Sequence, residues 1–221
     1  MRFVLDQLLD SAVLIQLRQS LLSSEAQWRP GQETAGWHAR HVKHNRQLER
    51  SHPLHQRLAA QVNAALEAHP LFQAAALPVR IHGLLFSRSG PGEGFGRHVD
   101  NAFMAGGRAD LSFTLFLSDP HAYEGGSLLL EAPAGEEAVR LAAGSAIIYP
   151  STLLHRVEPV QSGDRLAAVG WVQSRVRDAD HRELLFDLDT ARRHLFERQG
   201  NREPFDLISR SYTNLLRRWG D

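Results

Sequence analysis

Between residues 79 and 172 the chain is cut into short β-textured segments by glycine-containing turns, and no other feature limits its fold as strongly. The segments cover residues 79–86, 95–99, 111–117, 127–130, 146–149, 154–158 and 166–172. Ser89-Gly90-Pro91-Gly92, Glu124-Gly125-Gly126, Ala134-Gly135, Ala143-Gly144 and Ser162-Gly163-Asp164 punctuate them as turn signals. Short strands at this spacing are read as a sandwich or barrel. Leu111, Phe113, Leu115 and Leu117 alternate with Ser112, Thr114 and Phe116, the pattern of a strand with two different faces.

Helical texture flanks this block. A helix is expected over residues 10–22, with Val13, Leu14, Leu17, Leu21 and Leu22 on one stripe. Residues 23–36 read as loop or irregular strand, and a second helix as 54–68, stopped by Pro70. After Arg177 a helix runs to about Arg198 with Leu184, Leu185, Leu188, Ala191 and Leu195 as its apolar stripe; Gly200-Asn201 breaks it before a last helix over 205–219. The expectation is an α+β chain, mainly β, with residues 1–177 forming the β core and its N-terminal helices and 178–221 a helical appendage.

Four residues point to chemistry: His98, Asp100, His155 and Arg165. Residues i and i+2 of a strand share a side, so His98 and Asp100 can reach one metal ion while Val99 points away. Their octahedral face needs a third ligand from a distant strand, and His155 sits in β texture. Two imidazoles and one carboxylate suit a non-haem iron(II) with open positions. Arg165, placed beside His155 by the turn at 162–164, offers a fork for the far carboxylate of a chelating dicarboxylate. Its bland alternative is a surface pair with Asp164 or Glu158.

The His-x-Asp spacing alone carries little weight: 12 His and 12 Asp give about 0.65 chance occurrences in a chain this long. His181-Arg182-Glu183 has the same spacing in helical texture, where i and i+2 diverge, and reads as a solvated helix face. His38, His41 and His44 recur every third residue, but interleaved Arg40, Lys43 and Arg46 would repel a cation, so they read as lining the site's mouth or packing on the sheet. The glycine-rich stretch 87–96 reads either as a lid or as a plain connection.

Formal net charge is zero, and residues from 178 onward carry nine acids against eight bases, so no nucleic-acid partner is expected. No apolar run of about 18–20 residues exists, so no membrane span is expected. The chain has no cysteine, which removes disulfides, thiolate metal sites and cysteine nucleophiles. Asp6 and Asp10 interrupt the first apolar stretch, which reads against a signal peptide, and the cytoplasm is the default location. The C-terminal stripe also offers a homodimer face.

Ordered blocks then carry a resemblance. They include Phe95-Gly96-Arg97-His98-Val99-Asp100-Asn101, Tyr123-Glu124-Gly125-Gly126-Ser127-Leu128 and Tyr149-Pro150-Ser151-Thr152-Leu153-Leu154-His155-Arg156-Val157, with residues 35–48, 110–120 and 184–189. Together they resemble the iron(II)/2-oxoglutarate dioxygenases of the prolyl-4-hydroxylase-like group, nearest to bacterial PKHD-type hydroxylases. Where relatives often carry tyrosines this chain has Ser89 and Phe95. The resemblance implies a double-stranded β-helix (jelly roll), iron ligands at His98, Asp100 and His155, and 2-oxoglutarate anchored by Arg165. It also implies oxygen as co-substrate, ascorbate as reductant, and hydroxylation of a C–H bond in a peptidyl or small-molecule substrate. A halogenase of the same fold is disfavoured because Asp100 fills the position a halide needs. A non-catalytic jelly-roll binding or sensing module is the alternative from another class.

Overall fold

Strand-forming and helix-forming stretches segregate in the chain as its texture suggests. The computed structural model describes residues 1–221 except Ala35, His38, Ala105 and Asn201 and the side chain of Gln199. Elements run β1 (Phe3–Leu5), α1 (Ser11–Leu22), β2 (Trp28–Pro30), two short 3₁₀ turns, β3 (Lys43–His44), β4 (Arg46–Leu48), α2 (Pro53–Ala68) and α3 (Pro70–Ala76). The β block comprises β5 (Pro78–Ser89), β6 (Gly94–His98), β7 (Phe103–Met104), β8 (Gly107–Arg108), β9 (Leu111–Phe116), β10 (Tyr123–Gly125), β11 (Leu128–Ala132), β12 (Gly135–Val139), β13 (Ala146–Pro150), β14 (His155–Val157), β15 (Val160–Gly163) and β16 (Arg165–Ser174). Helices α4 (Ala179–Gln199) and α5 (Glu203–Trp219) end the chain.

A seven-stranded sheet has the order β1-β13-β9-β16-β5-β4-β2, and a five-stranded sheet the order β12-β11-β14-β6-β3. Their ladders are antiparallel, which gives the jelly-roll core. The alternation along β9 explains how the layers stack. Phe113 and Leu115 join Leu17, Leu21, Leu58, Val62 and Phe72, so α1, α2 and α3 cover one face of the large sheet. Phe116 turns the other way and packs with Leu128 and Leu130 of β11 and Tyr149 of β13, between the sheets. Ser112 and Thr114 share that inner side and face the cavity described below.

Several expectations change. Pro70 ends α2 but also opens α3, because a proline at the first helical position loses no intrahelical bond. Leu22, Leu184 and Ala191 are exposed rather than part of their helices' buried stripes. The 181–183 segment is a solvated face only at Glu183: Arg182 is 3% exposed and donates from Nη1 to Val176 O and Arg177 O, while His181 stacks on Trp219. Stretch 87–96 is largely strand, reduced to a turn in which Gly90 N–H donates to Glu93 Oε2 and Gly92 N–H to Val160 O. That tie favours a fixed connection over a lid. Helices α4 and α5 dock through Leu185 and Tyr212 on Leu77 and Val176, and Asp221 N–H donates to Arg175 O.

Candidate active site

His98 ends β6 and His155 opens β14, and the two are direct partners across that antiparallel pair. Register therefore sets the two rings side by side, with centroids 4.3 Å apart. Asp100 lies two residues past His98, just beyond the strand end, and swings its carboxylate to the same side. Its Oδ1 is 3.9 Å from His98 Nε2 and its Oδ2 3.9 Å from His155 Nε2. One donor atom from each residue lies within 4.8 Å of the others. Val99 is exposed, as the strand alternation requires.

Hydrogen bonds set the tautomer of the imidazoles. His98 Nδ1 is 2.8 Å from Gly96 O and His155 Nδ1 is 2.9 Å from Leu153 O. A carbonyl only accepts, so each Nδ1 carries a proton and donates it, which in the neutral tautomer places the lone pair on Nε2, the nitrogen nearer Asp100. Burial, then the neighbouring His155, push His98 down to about 4, against the Gly96 carbonyl and Asp100. At neutral pH His98 is thus neutral and able to ligate. Phe95 stacks on His98 at 3.6 Å and Tyr149 meets His155 edge-on at 5.3 Å, which fixes both rings. Ser112 Oγ donates to Asp100 Oδ2 at 2.5 Å and lies 2.7 Å from Ser151 Oγ.

Arg165 begins β16 and is 3% exposed. The surface alternative fails, since Asp164 is engaged by Arg88 and Arg46 instead. The Arg165 guanidinium sits 5.5 Å from the centre of the Phe116 ring. Gly126, at φ +66°, gives it room: a Cβ there would lie 3.0 Å from Arg165 Cδ. Burial lowers its affinity for the proton, yet an arginine stays charged. Its Nε and Nη2 are buried with no protein hydrogen-bond partner among the described residues. Such donors are costly to leave unmade and point to an anionic ligand.

A cavity of about 80 Å³ joins these groups, lined by His98, Asp100, His155, Arg165, Thr114 and Trp171 among others. Ser89 also lines it, where a tyrosine was the family expectation. The donor set fits iron(II). Two imidazole nitrogens and one carboxylate oxygen, all within 4.8 Å of one another, would hold one such ion and leave positions open for co-substrate. The orphaned Arg165 donors, at the far side of the same cavity, fit a carboxylate.

Sequence reading missed three supports. Ser112 and Ser151 carry no spacing signal, although Ser112 faces inward by the β9 alternation. Lys43 entered only as a repulsive charge beside His41 and His44. It is in fact buried, donates to Thr34 Oγ1 at 3.3 Å, and stands 5.2 Å from the centre of the Phe95 ring. Burial, then the Arg50 charge, lower its pKa to about 8, with Asp100 opposing. His41 and His44 are exposed, and His38 lies outside the described residues.

Comparison with known proteins agrees with this geometry. Residues 84–173 match the profile of the 2OG-Fe(II) oxygenase superfamily, and residues 179–221 that of the PKHD-type hydroxylase C-terminal domain. A PKHD-type hydroxylase of Synechococcus elongatus is 55% identical over the full length of both chains. One from Acaryochloris marina is 52% identical, again over both full chains. Among solved structures, a Pseudomonas putida prolyl-4-hydroxylase is similar at TM-score 0.54 and 23% identity, covering 79% of this chain and 92% of that one. HygX from Streptomyces hygroscopicus, with nickel, 2-oxoglutarate and hygromycin B bound, is similar at TM-score 0.56 and 15% identity, covering 78% and 82%. Likeness at these identities speaks for the fold.

Proposed function

The chain belongs to the PKHD-type hydroxylases of the 2OG-Fe(II) oxygenase superfamily, and from this premise we propose which residues perform the reaction. The enzyme is a non-haem iron dioxygenase that uses 2-oxoglutarate and oxygen to hydroxylate a substrate C–H bond. The chemistry available when iron(II) is bound is oxidative decarboxylation of 2-oxoglutarate to succinate and carbon dioxide, coupled to that hydroxylation. In our reading His98, Asp100 and His155 hold the iron, and Arg165 holds the carboxylate of 2-oxoglutarate remote from it.

The observation that carries this reading is the convergence of three donor atoms in one cavity with two unpartnered Arg165 donors. Nδ1–H bonds to Gly96 and Leu153 keep both Nε2 lone pairs available. Ser112 holds one carboxylate oxygen of Asp100, leaving the other for the metal. Arg165 orients the co-substrate in bidentate fashion, and the apolar walls around it exclude water and strengthen the pairing. Side-chain sulfur available to a strong oxidant is scarce, since the chain has two methionines and no cysteine.

We assign residues 178–221 as a helical appendage to a catalytic unit over 1–177. The substrate is a small molecule or a peptidyl group; ascorbate serves as reductant, nucleic acid is not a partner, a homodimer forms through the appendage, and the compartment is the cytoplasm. Among the described residues no helix is long and apolar enough to cross a membrane. The test is succinate formation from 2-oxoglutarate with iron(II), ascorbate and oxygen. Asp100→Ala is expected to lose iron binding and turnover together. Arg165→Gln is expected to raise the KM for 2-oxoglutarate at least tenfold while iron binding persists. Retention of both iron and turnover by Asp100→Ala would refute the ligand assignment.

A further inference from the structure

A second cavity, of about 60 Å³, adjoins the first. The two share Lys43, Leu85, Phe95, His98, Asp100 and Trp171. Arg165 lines only the first and Arg50 only the second. Two chambers therefore meet at the metal-binding face, each with its own arginine.

With the metal and co-substrate in place, the charges of their own ligands balance. Iron(II) and Arg165 bring three positive charges, and Asp100 with a 2-oxoglutarate dianion brings three negative ones. Lys43 and Arg50 are left over. Lys43 is 6% exposed, and its only hydrogen bond among the described residues is to the neutral Thr34 Oγ1. Arg50, at the exposed rim, donates to the neutral carbonyl of Gly83. Its neighbour Glu49 does not compensate it, being engaged by Arg29 and Ser51. Among the described residues neither cation has a carboxylate within ion-pair distance. Trp171 lines both chambers, and its Nε1–H is buried and has no hydrogen-bond partner among the described residues. A buried cation without a counter-charge is unfavourable, and two cations facing one chamber repel each other. The depressed pKa of Lys43 follows from those two causes.

We propose that the substrate carries a negatively charged oxyanion, a carboxylate or a phosphate, held between the Lys43 ammonium and the Arg50 guanidinium while the bond to be hydroxylated faces His98, Asp100 and His155. This rests on the residue roles given above. Trp171 Nε1–H supplies a neutral donor to the same group, and Leu85 and Met104 supply apolar wall for the rest of the molecule. A neutral, internal prolyl residue of a peptide would leave both cations unmatched, so the oxyanion separates an acidic metabolite or acidic side chain from a plain prolyl peptide.

Lys43 is the only lysine in the chain, so lysine labelled with ¹³C at Cε gives one side-chain signal that reports this chamber alone. The protein is loaded with zinc(II), which is diamagnetic and redox-inert, and saturated with 2-oxoglutarate. It is then titrated with acetate, benzoate and methyl phosphate, and with acetamide and benzamide as neutral counterparts. At least one anion should shift the signal saturably while acetamide and benzamide do not; whether the carboxylates or methyl phosphate bind more tightly identifies the oxyanion. Arg50→Gln should weaken that binding at least tenfold. Arg165→Gln, brought back to saturation at the higher 2-oxoglutarate concentration it needs, should leave it in place, because Arg165 lies in the other chamber. The proposal is overturned if no anion shifts the signal, if the amides act equally, if Arg50→Gln has no effect, or if Arg165→Gln abolishes the shift. Zinc stoichiometry and 2-oxoglutarate affinity, measured on the same samples, test the ligand assignment separately.

Discussion

At the scale of single residues, the site is built by groups that hold other groups. Asp100 can serve a metal only if its second oxygen stays where Ser112 puts it, at 2.5 Å. Ser112→Ala should therefore weaken iron affinity or turnover by roughly 10–100-fold, the usual cost of losing a partner to a metal ligand, without unfolding the chain. Iron titration alongside circular dichroism checks it. His98 gives a second expectation. Its pKa is pushed down to about 4 in the folded chain, against about 6.5 when unfolded. Between those values the unfolded chain binds more protons, so stability of the metal-free protein rises with pH across the window and falls as pH drops from about 6.5 toward 4. Urea melts of wild type and His98→Gln at pH 7 and pH 5 test the sign: the wild type should lose more stability than the variant. An equal loss would remove His98 as a cause.

Elements show what the sequence could and could not reveal. β9 was legible because Leu111, Phe113 and Leu115 alternate with Ser112 and Thr114 over a full strand. The pairing of His98 with His155 was legible as chemistry, but not as register, because register depends on where β6 and β14 meet. Strands β2, β3 and β4 span two or three residues each, too short for any alternation to emerge. β12 is four-fifths exposed and carries Glu136 and Glu137, the charged dressing of a sheet edge, so it lacks an apolar signature. Arg182 looked like a surface residue because its partners are backbone carbonyls, which no side-chain pattern encodes. Its removal tests whether it pins α4 to the end of the β core. Arg182→Ala leaves two carbonyls without their donor and should cost about 2–3 kcal/mol in chemical denaturation. A loss within about 0.5 kcal/mol would mean the pin is idle.

For the whole molecule, the appendage and the β core share a small apolar cluster, and the site lies elsewhere, between the two sheets. A chain ending at Arg177 would expose Leu77 and Val176, each worth about 1.5–3 kcal/mol buried. It should melt lower by roughly 5 °C or more, while the ladder pairing His98 with His155 stays within the remaining residues. An unchanged melting temperature would show that the helices add nothing to the core. The account as a whole depends on two grips in one cavity, a metal by three side chains and a diacid by one. The most direct measurement is a crystal structure grown without oxygen, with iron(II) and 2-oxoglutarate added and the iron located by its anomalous scattering. The account predicts one iron on His98 Nε2, His155 Nε2 and Asp100, with the remote carboxylate of 2-oxoglutarate paired to Arg165. Iron at any other residues, or a co-substrate whose free carboxylate leaves Arg165 untouched, would contradict it.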